Sequence, residues 1–198
     1  MLDKKIIKEV TEILNRSNVI WGVGGSYLLK IYDLIDDPKD LDLWVSTNDI
    51  SKLRKIFSEY QEIKTEVPLP PELHYKILYK NLEVDFVACF IIKPNQYEFK
   101  YNIKPQNIRI VKLKNGIELP CTYLEDWYIV YKLLKRNDKA KIIEDFFYKN
   151  KMTFSDNVIQ SYKNSDNIKL PKYITENIQS IVSNAMQLSF SDIKNEGD

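Results

Sequence analysis

The sequence predicts an α/β (α+β) protein, in which a mixed, mostly antiparallel sheet is flanked by helices and followed by a C-terminal helical region. Apolar residues recur with helical spacing over 3–16 and 26–35 but alternate with polar residues over 40–46, so helices and strands interleave early in the chain. In the last two fifths of the chain the spacing is helical only. We therefore expect a core domain of residues 1–119 and a helical region of residues 120–198 that packs on it.

Each predicted element has a local signal. The helix over 3–16 places its apolar residues on one face, and the strand over 19–23 is a short apolar run that ends at two glycines. Polar pairs at Lys80-Asn81 and Asn115-Gly116 suit hairpin turns between alternating strands. The predicted elements are helix 3–16, strand 19–23, helix 26–35, strand 40–46, a helix capped by Asn48 and ending near 58, strands 61–67, 74–79, 82–90, 107–113 and 117–119, and helices 123–136, 138–149, 155–164 and 173–187.

The composition excludes several classes of protein. With 198 residues, 44% of them apolar and 12% aromatic, the chain can bury a substantial core and is not typical of disordered proteins. A formal net charge of +1 gives no global attraction to nucleic acid or to a membrane surface. No signal peptide precedes the first helix and no apolar run approaches the roughly 20 residues of a membrane span, so we expect a cytoplasmic protein without membrane association. Cys89 and Cys121 lack metal-ligand spacing, and we expect both to be reduced core thiols.

One stretch has the pattern of a nucleotide site. The strand over 19–23 ends at the Gly-Gly-Ser loop 24–26, where a helix begins. Glycine allows a close approach of the backbone to a ligand, and amides at the start of a helix suit a phosphate. After this helix, Asp40 and Asp42 alternate with large apolar residues, so both carboxylates project from one face of a strand. Paired carboxylates repel each other, and Mg²⁺ relieves the repulsion by taking oxygen ligands from both.

The order of these features carries more information than any one of them. An Asp-x-Asp pair is expected by chance in a chain this rich in aspartate, and Gly-Gly-Ser is more often a plain turn. Here a third acid, Asp85, lies in a second alternating strand, so strand, glycine loop, helix, acid pair and third acid follow one another. The alternative interpretation is that Asp40, Asp42 and Asp85 are solvated strand residues and that loop 24–26 is only a turn.

In these features the chain resembles the nucleotidyltransferase superfamily, whose catalytic core has the fold of DNA polymerase β. The resemblance covers about residues 18–148, and the family pattern of a glycine loop, an acid pair and a third acid is matched by Gly24, Gly25, Ser26, Asp40, Asp42 and Asp85. The chain looks like small bacterial antibiotic nucleotidyltransferases and like the nucleotidyltransferase toxins of abortive-infection systems. In those toxins the core runs into a helix that reads Leu-Glu-Asp-Leu followed by a Lys; here the helix reads Leu-Glu-Asp-Trp over 124–127, with Lys132 after it.

The resemblance implies an activity, a nucleotidyltransferase fold over residues 1–119 and a set of roles. A nucleoside monophosphate would pass from a nucleoside triphosphate to an acceptor hydroxyl, with release of pyrophosphate. Two Mg²⁺ ions about 3.5–4 Å apart would stabilise the attacking and leaving oxygens. The ions would be held by Asp40, Asp42 and Asp85. Asp85 would also accept the proton of the acceptor, and the phosphates would be bound by Gly24, Gly25, Ser26 and Lys132.

The acceptor is not encoded in a motif. The near-neutral charge and the short chain favour a small molecule such as an antibiotic, whereas the helix that carries Lys132 favours RNA or protein modified by a toxin-like enzyme. A catalytically silent nucleotide-binding module is a third hypothesis, which the presence of all three acids disfavours. Two departures from the family pattern argue against templated synthesis and tRNA-end addition: only Lys39 represents the basic residue often found before the acid pair, and the Arg-rich motif is absent.

Two further residues have weaker signals. His74 is the only histidine and has no partner at a recognisable spacing, so we expect it to be structural or exposed. Glu83 shares a strand face with Asp85 and could assist the site.

Overall fold

The computed structural model describes residues 2–64, 73–92, 99–113, 116–155, 158 and 170–195. The chain divides into two compact units, of which the first comprises Met1–Ile91 with Lys100–Tyr123 and the second comprises Ile92–Phe99 with Leu124–Asp198. The sequence-based division into domains 1–119 and 120–198 stays a prediction.

Helices and strands alternate through the first unit, and helices make up the described part of the chain after it. In chain order the elements are α1 (Lys4–Arg16), β1 (Trp21–Val23), α2 (Gly25–Ile31), β2 (Leu41–Val45), α3 (Ile50–Ile56), β3 (Gln61–Glu62), β4 (His74–Tyr79), β5 (Leu82–Val87), β6 (Cys89–Ile92), β7 (Phe99–Asn102), a 3₁₀ turn (Pro105–Asn107), β8 (Ile108–Lys112), β9 (Glu118–Thr122), α4 (Leu124–Leu133), α5 (Asn137–Lys149) and α6 (Lys172–Asn195).

Seven strands form one sheet in the order β3-β4-β5-β2-β1-β9-β8, and β6 pairs with β7 separately. Neighbouring strands of the large sheet run antiparallel except in the pairs β2–β5 and β1–β9, which are parallel. Parallel strands need a long crossover, and both of these pairs join strands that are far apart in sequence. The sheet is thus mixed and mostly antiparallel, which confirms the predicted α/β fold class.

Alternation along the two central strands separates apolar side chains from acidic ones. In β2 the three apolar residues Leu41, Leu43 and Val45 are completely buried, whereas Asp42 between them is partly exposed. Likewise, Val84 and Phe86 of β5 are completely buried and flank a partly exposed Asp85. Each fully buried apolar side chain stabilises the fold by about 1.5–3 kcal/mol. Burial of the apolar residues therefore fixes the acids on the other face of the sheet.

In the second unit, α4 is buried at every residue except Lys132. It packs against α5, where the hydroxyl of Tyr128 donates a hydrogen bond to Oε2 of Glu144 at 3.2 Å. The final helix, α6, continues to Asn195, beyond its predicted end at residue 187. Within the described ranges, no helix is long and apolar enough to cross a membrane.

Other helix boundaries also differ from the prediction, and α4 ends at Leu133 rather than at residue 136. Helix α2 ends at Ile31 rather than at residue 35, and Asp33 shortly afterwards has a left-handed φ of 55°. Asn48 does not cap α3, because Asp49 occupies that position. The carboxylate of Asp49 instead accepts a hydrogen bond from the amide of Ile20 at 2.9 Å, which links the start of α3 to the segment before β1.

The predicted strands 61–67 and 82–90 are shorter in the structure. The second ends at Val87, and a bend at Ala88, whose amide donates to the carbonyl of Leu73 at 2.8 Å, separates it from β6. The first keeps only Gln61–Glu62 among the residues that the structure describes. Residues 65–67, Asn115 and most of the predicted helix 155–164 lie outside the described residues.

Candidate active site

The glycine loop connects β1 to α2 and follows the course that the sequence predicts. Gly24 has an extended backbone and accepts the first helical hydrogen bond of α2, from the amide of Leu28 at 3.0 Å. Its own amide donates to the carbonyl of Asp42 at 2.9 Å, which extends the β1–β2 pairing into the loop. Gly25 has a left-handed φ of 55°, a conformation that L side chains rarely adopt.

The carboxylate of Asp42 lies directly against this loop. A methyl group on residue 25 would lie 1.7 Å from Oδ2 of Asp42, so only glycine leaves room for this carboxylate. Oδ2 also accepts a hydrogen bond from the amide of Ser26 at 3.3 Å. The hydroxyl of Ser26 donates to Oδ1 of Asp40 at 3.4 Å. One serine therefore contacts both members of the acid pair.

Asp85 is brought to the acid pair by the parallel pairing of β2 with β5. In this pairing Asp42 and Asp85 are register partners. Strands in a sheet are about 4.8 Å apart, and paired residues project from the same face, so the two acids are neighbours. Asp40 comes just before β2 and is half-buried. The structure thus places Asp42 next to Asp85 in the sheet and brings Asp40 and Asp42 into contact with Ser26 of loop 24–26. The roles of all three acids stay predictions.

His74 binds Asp85 directly, a contact that the sequence reasoning missed. Its Nε2 lies 2.6 Å from Oδ1 of Asp85, and the imidazole is buried, with 8% of its side chain exposed. The backbone of His74 is fixed as well, because Nη2 of Arg54 donates to its carbonyl at 2.8 Å. Arg54 itself pairs with Glu62 at 2.7 Å and stacks over the ring of Tyr75 at 4.5 Å. His74 is therefore buried rather than exposed and contacts a predicted catalytic acid, while its role stays a prediction.

Lys76 is the second residue that the sequence reasoning missed. Its ammonium lies 2.7 Å from Oε2 of Glu83 and 4.0 Å from Oδ2 of Asp85, and only 13% of its side chain is exposed. Burial lowers the pKa of Lys76, but the hydrogen bond to Glu83 and the charges of Asp85, Glu83 and Asp40 outweigh it and raise the pKa above its ordinary value. Lys76 is thus a protonated cation within the acidic cluster.

The sequence did contain a signal for Lys76. A two-residue turn at Lys80-Asn81 pairs Tyr79 with Leu82, and counting back along both strands pairs Lys76 with Asp85. The structure has this register. His74 had no such signal, because its register partner is Val87 and its ring reaches sideways to Asp85.

The acidic cluster has the chemistry of a magnesium site, since Mg²⁺ prefers carboxylate oxygens. Within the part of the chain that the structure describes, no three His, Cys, Asp or Glu side chains already converge as a set of ligands. Asp42 instead contacts Ser26, and Asp85 contacts His74 and Lys76. The cluster offers carboxylate oxygens on one face of the sheet, which fits a divalent cation. In the structure, however, these carboxylates are oriented toward protein hydrogen-bond donors.

Lys132 belongs to the second unit, and its role in binding phosphate stays a prediction. Its ammonium lies 5.9 Å from the centre of the Tyr128 ring, and its carbonyl accepts a hydrogen bond from the hydroxyl of Tyr173 at 3.4 Å. Lys132 also lines a cavity of about 720 Å³ in this unit, together with residues of α5 and α6.

Comparison with known proteins identifies the fold. No family model matches the chain, and no curated protein is detectably similar to it in sequence. The lincosamide antibiotic adenylyltransferase LnuA, in its lincomycin-bound structure, is similar at a TM-score of 0.51 and 9% identity, over 72% of this chain and 97% of LnuA. TM1012 of Thermotoga maritima, a nucleotidyltransferase by assignment, is similar at a TM-score of 0.50 and 17% identity, over 75% of this chain and 96% of TM1012. Identities this low establish the fold alone, and the chain has the fold of the nucleotidyltransferases, as its sequence pattern implied.

Proposed function

We propose that this protein is a nucleotidyltransferase that moves a nucleoside monophosphate from a nucleoside triphosphate to an acceptor hydroxyl. The observation that carries the proposal is the position of Asp42. This acid is the register partner of Asp85, and its carboxylate fills the space beside Gly25 and contacts Ser26. A fold that keeps a glycine beside one carboxylate and pairs that carboxylate with a second one places two negative charges side by side, an arrangement that suits a bound divalent cation.

Each part of the cluster has a role in this reaction. Loop 24–26 is assigned to the phosphates of the triphosphate, for which the amide and hydroxyl of Ser26 would have to exchange Asp42 and Asp40 for phosphate oxygens. Lys132, in the second unit, stays a predicted phosphate ligand. Asp40, Asp42 and Asp85 hold two Mg²⁺ ions, which supply charge stabilisation to the attacking and leaving oxygens when bound.

The chemical step is an in-line displacement at the α-phosphorus. The acceptor oxygen forms a bond to this phosphorus while the bond from the phosphorus to pyrophosphate breaks. The acceptor proton passes to the carboxylate of Asp85, whose Oδ1 is held by His74. The products are a nucleoside monophosphate ester and pyrophosphate.

We propose a small molecule, such as an antibiotic, as the acceptor. The formal net charge of +1 gives no general attraction to nucleic acid. The shared fold with LnuA, which has lincomycin bound, motivates the same class of acceptor here. Modification of RNA or protein is the competing outcome of the experiment below.

The test is label transfer from α-labelled nucleoside triphosphates with Mg²⁺ and separate pools of antibiotics, RNA and proteins. We expect label in the antibiotic pool from the wild type. Asp42→Asn should lower the rate by about 10²–10³-fold, because it removes several kcal/mol of charge stabilisation from the transition state. Asp36→Asn is the matched control: Asp36 is fully exposed and lies 3.6 Å from Lys30, so its loss should leave the rate unchanged.

The other outcomes decide between the hypotheses. Label in RNA or protein alone would establish a toxin-like acceptor in place of a small molecule. Triphosphate binding without transfer to any pool would contradict the proposed activity and identify a silent binding module.

A further inference from the structure

The acidic face of the sheet contains a cation of its own. Lys76 is the register partner of Asp85 in the β4–β5 hairpin, so its side chain projects from the same face as the acids. Its ammonium is 4.0 Å from Oδ2 of Asp85 and 2.7 Å from Oε2 of Glu83. It also interacts electrostatically with Asp40.

A buried lysine is costly unless carboxylates surround it. Lys76 is 13% exposed and Asp85 is 15% exposed, so water screens this attraction only partly. The neighbouring Asp42 adds a further negative charge on the same face. Without a cation, these carboxylates would repel each other across adjacent strands. Lys76 supplies one positive charge at this position.

We propose that Lys76 is an internal counter-ion of the acidic site, which compensates the carboxylates in the metal-free protein and weakens the binding of divalent cations there. This inference rests on the metal site of the proposed function. A divalent cation at Asp40, Asp42 and Asp85 meets the positive charge of Lys76 and competes with it for the same carboxylates.

Glu83 gives the ammonium a second position. It holds Lys76 at 2.7 Å and is 50% exposed, so it lies at the outer side of the cluster. If a divalent cation were held by Asp85, the ammonium could stay paired with Glu83. Because of this pair, the ammonium of Lys76 can lose its contact with Asp85 and still remain at the site.

The test compares divalent-cation affinity in the wild type and in Lys76→Met, measured by titration calorimetry with Mn²⁺ and Mg²⁺ and by the metal-induced shift of the unfolding temperature. Removal of a unit charge a few ångströms from the ligands should tighten binding by about tenfold. In EDTA the same variant should unfold at a temperature a few degrees below the wild type, because the carboxylates are then uncompensated. Neither measurement requires turnover.

Three further variants keep the result interpretable. Lys76→Arg retains the charge and should bind metal like the wild type even if Lys76→Met fails to fold. Lys80→Met removes the same charge from the turn of the same hairpin, where Lys80 pairs with Glu9, and should leave metal affinity unchanged. Glu83→Gln should weaken metal binding, and this effect should be smaller in the Lys76→Met background.

The outcomes separate the two proposals. Equal or weaker metal binding in Lys76→Met, with normal binding by the wild type, would overturn the role of Lys76 and leave the proposed function intact. Absence of divalent-cation binding by the wild type would overturn both.

Discussion

The carboxylate of Asp42 occupies the space in which a side chain on Gly25 would begin. A methyl group at residue 25 would lie 1.7 Å from Oδ2 and 2.4 Å from Cγ of Asp42. Such distances are far inside van der Waals contact, so one of the two residues would have to move. The carboxylate of Asp42 can therefore hold this position only if residue 25 is glycine.

Gly25→Ala should therefore abolish most of the activity. The new methyl group displaces the carboxylate of Asp42, and alanine at a φ of 55° adds backbone strain. We expect a loss of about 1–3 kcal/mol in the free energy of unfolding and a fall of about 100-fold or more in the rate of label transfer. Denaturant unfolding and transfer assays measure the two effects.

Gly116→Ala is the matched control for strain alone. Gly116 has a φ of 83°, and, its chain neighbours aside, no described residue lies within 4 Å of the position of its new methyl group. It should lose about 1 kcal/mol of stability at full activity. Full activity in Gly25→Ala would show that the position of Asp42 does not matter for transfer.

His74→Leu should lower kcat and leave the KM for the triphosphate unchanged. The leucine cannot donate to Oδ1 of Asp85, which the imidazole now contacts at 2.6 Å. Loss of a residue that orients a catalytic group typically costs about 10–100-fold. His74→Gln retains an N–H donor and should recover part of this loss. Steady-state kinetics of both variants, with thermal unfolding as a check of folding, measure the effect. Equal kcat values in His74→Leu and the wild type would show that His74 contributes to packing and does not orient Asp85 for catalysis.

Stability should fall at alkaline pH, in part because of Cys121. Burial raises the pKa of this thiol from about 9 to about 12, although the charge of Arg109 opposes the shift. Between these two values the unfolded chain has lost the proton and the folded protein has kept it. The unfolded state then binds fewer protons, so the free energy of unfolding decreases as pH rises, by at most about 1.4 kcal/mol per pH unit.

Cys121→Ala should remove this contribution and flatten the alkaline part of the stability curve. Tyr79, whose pKa burial also raises to about 12, continues to contribute in both proteins, so the difference between the two curves isolates the thiol. Denaturant unfolding between pH 8 and pH 11 measures it. Parallel curves for the two proteins would contradict a buried protonated thiol.

Local sequence patterns predicted much of the fold and the course of the glycine loop. The spacing of apolar residues located α1 and β2, and alternation placed Asp40 and Asp42 on one face. The glycine loop was expected to meet a ligand, and in the structure it meets Asp42. Cys89 and Cys121 are both buried, and neither forms a disulfide bond, as predicted.

The remaining features depend on contacts between distant segments. No local pattern specifies that β5 pairs with β2 in parallel, yet this pairing makes Asp85 the partner of Asp42. Asp49 rather than Asn48 precedes α3, because its carboxylate also serves the amide of Ile20, 29 residues away in sequence. The contact of His74 with Asp85 similarly depends on the direction of a side chain rather than on spacing.

The parallel pairing of β2 with β5 also has a consequence for the order of folding. Asp42 and Asp85 are 43 positions apart in sequence, whereas the β4–β5 hairpin is closed by a two-residue turn. Long loops are costly to close before their contacts form, so the hairpin should assemble early on refolding and the acid pair late. The appearance of divalent-cation affinity would then mark completion of the central sheet and serve as a kinetic signal for the last step of folding.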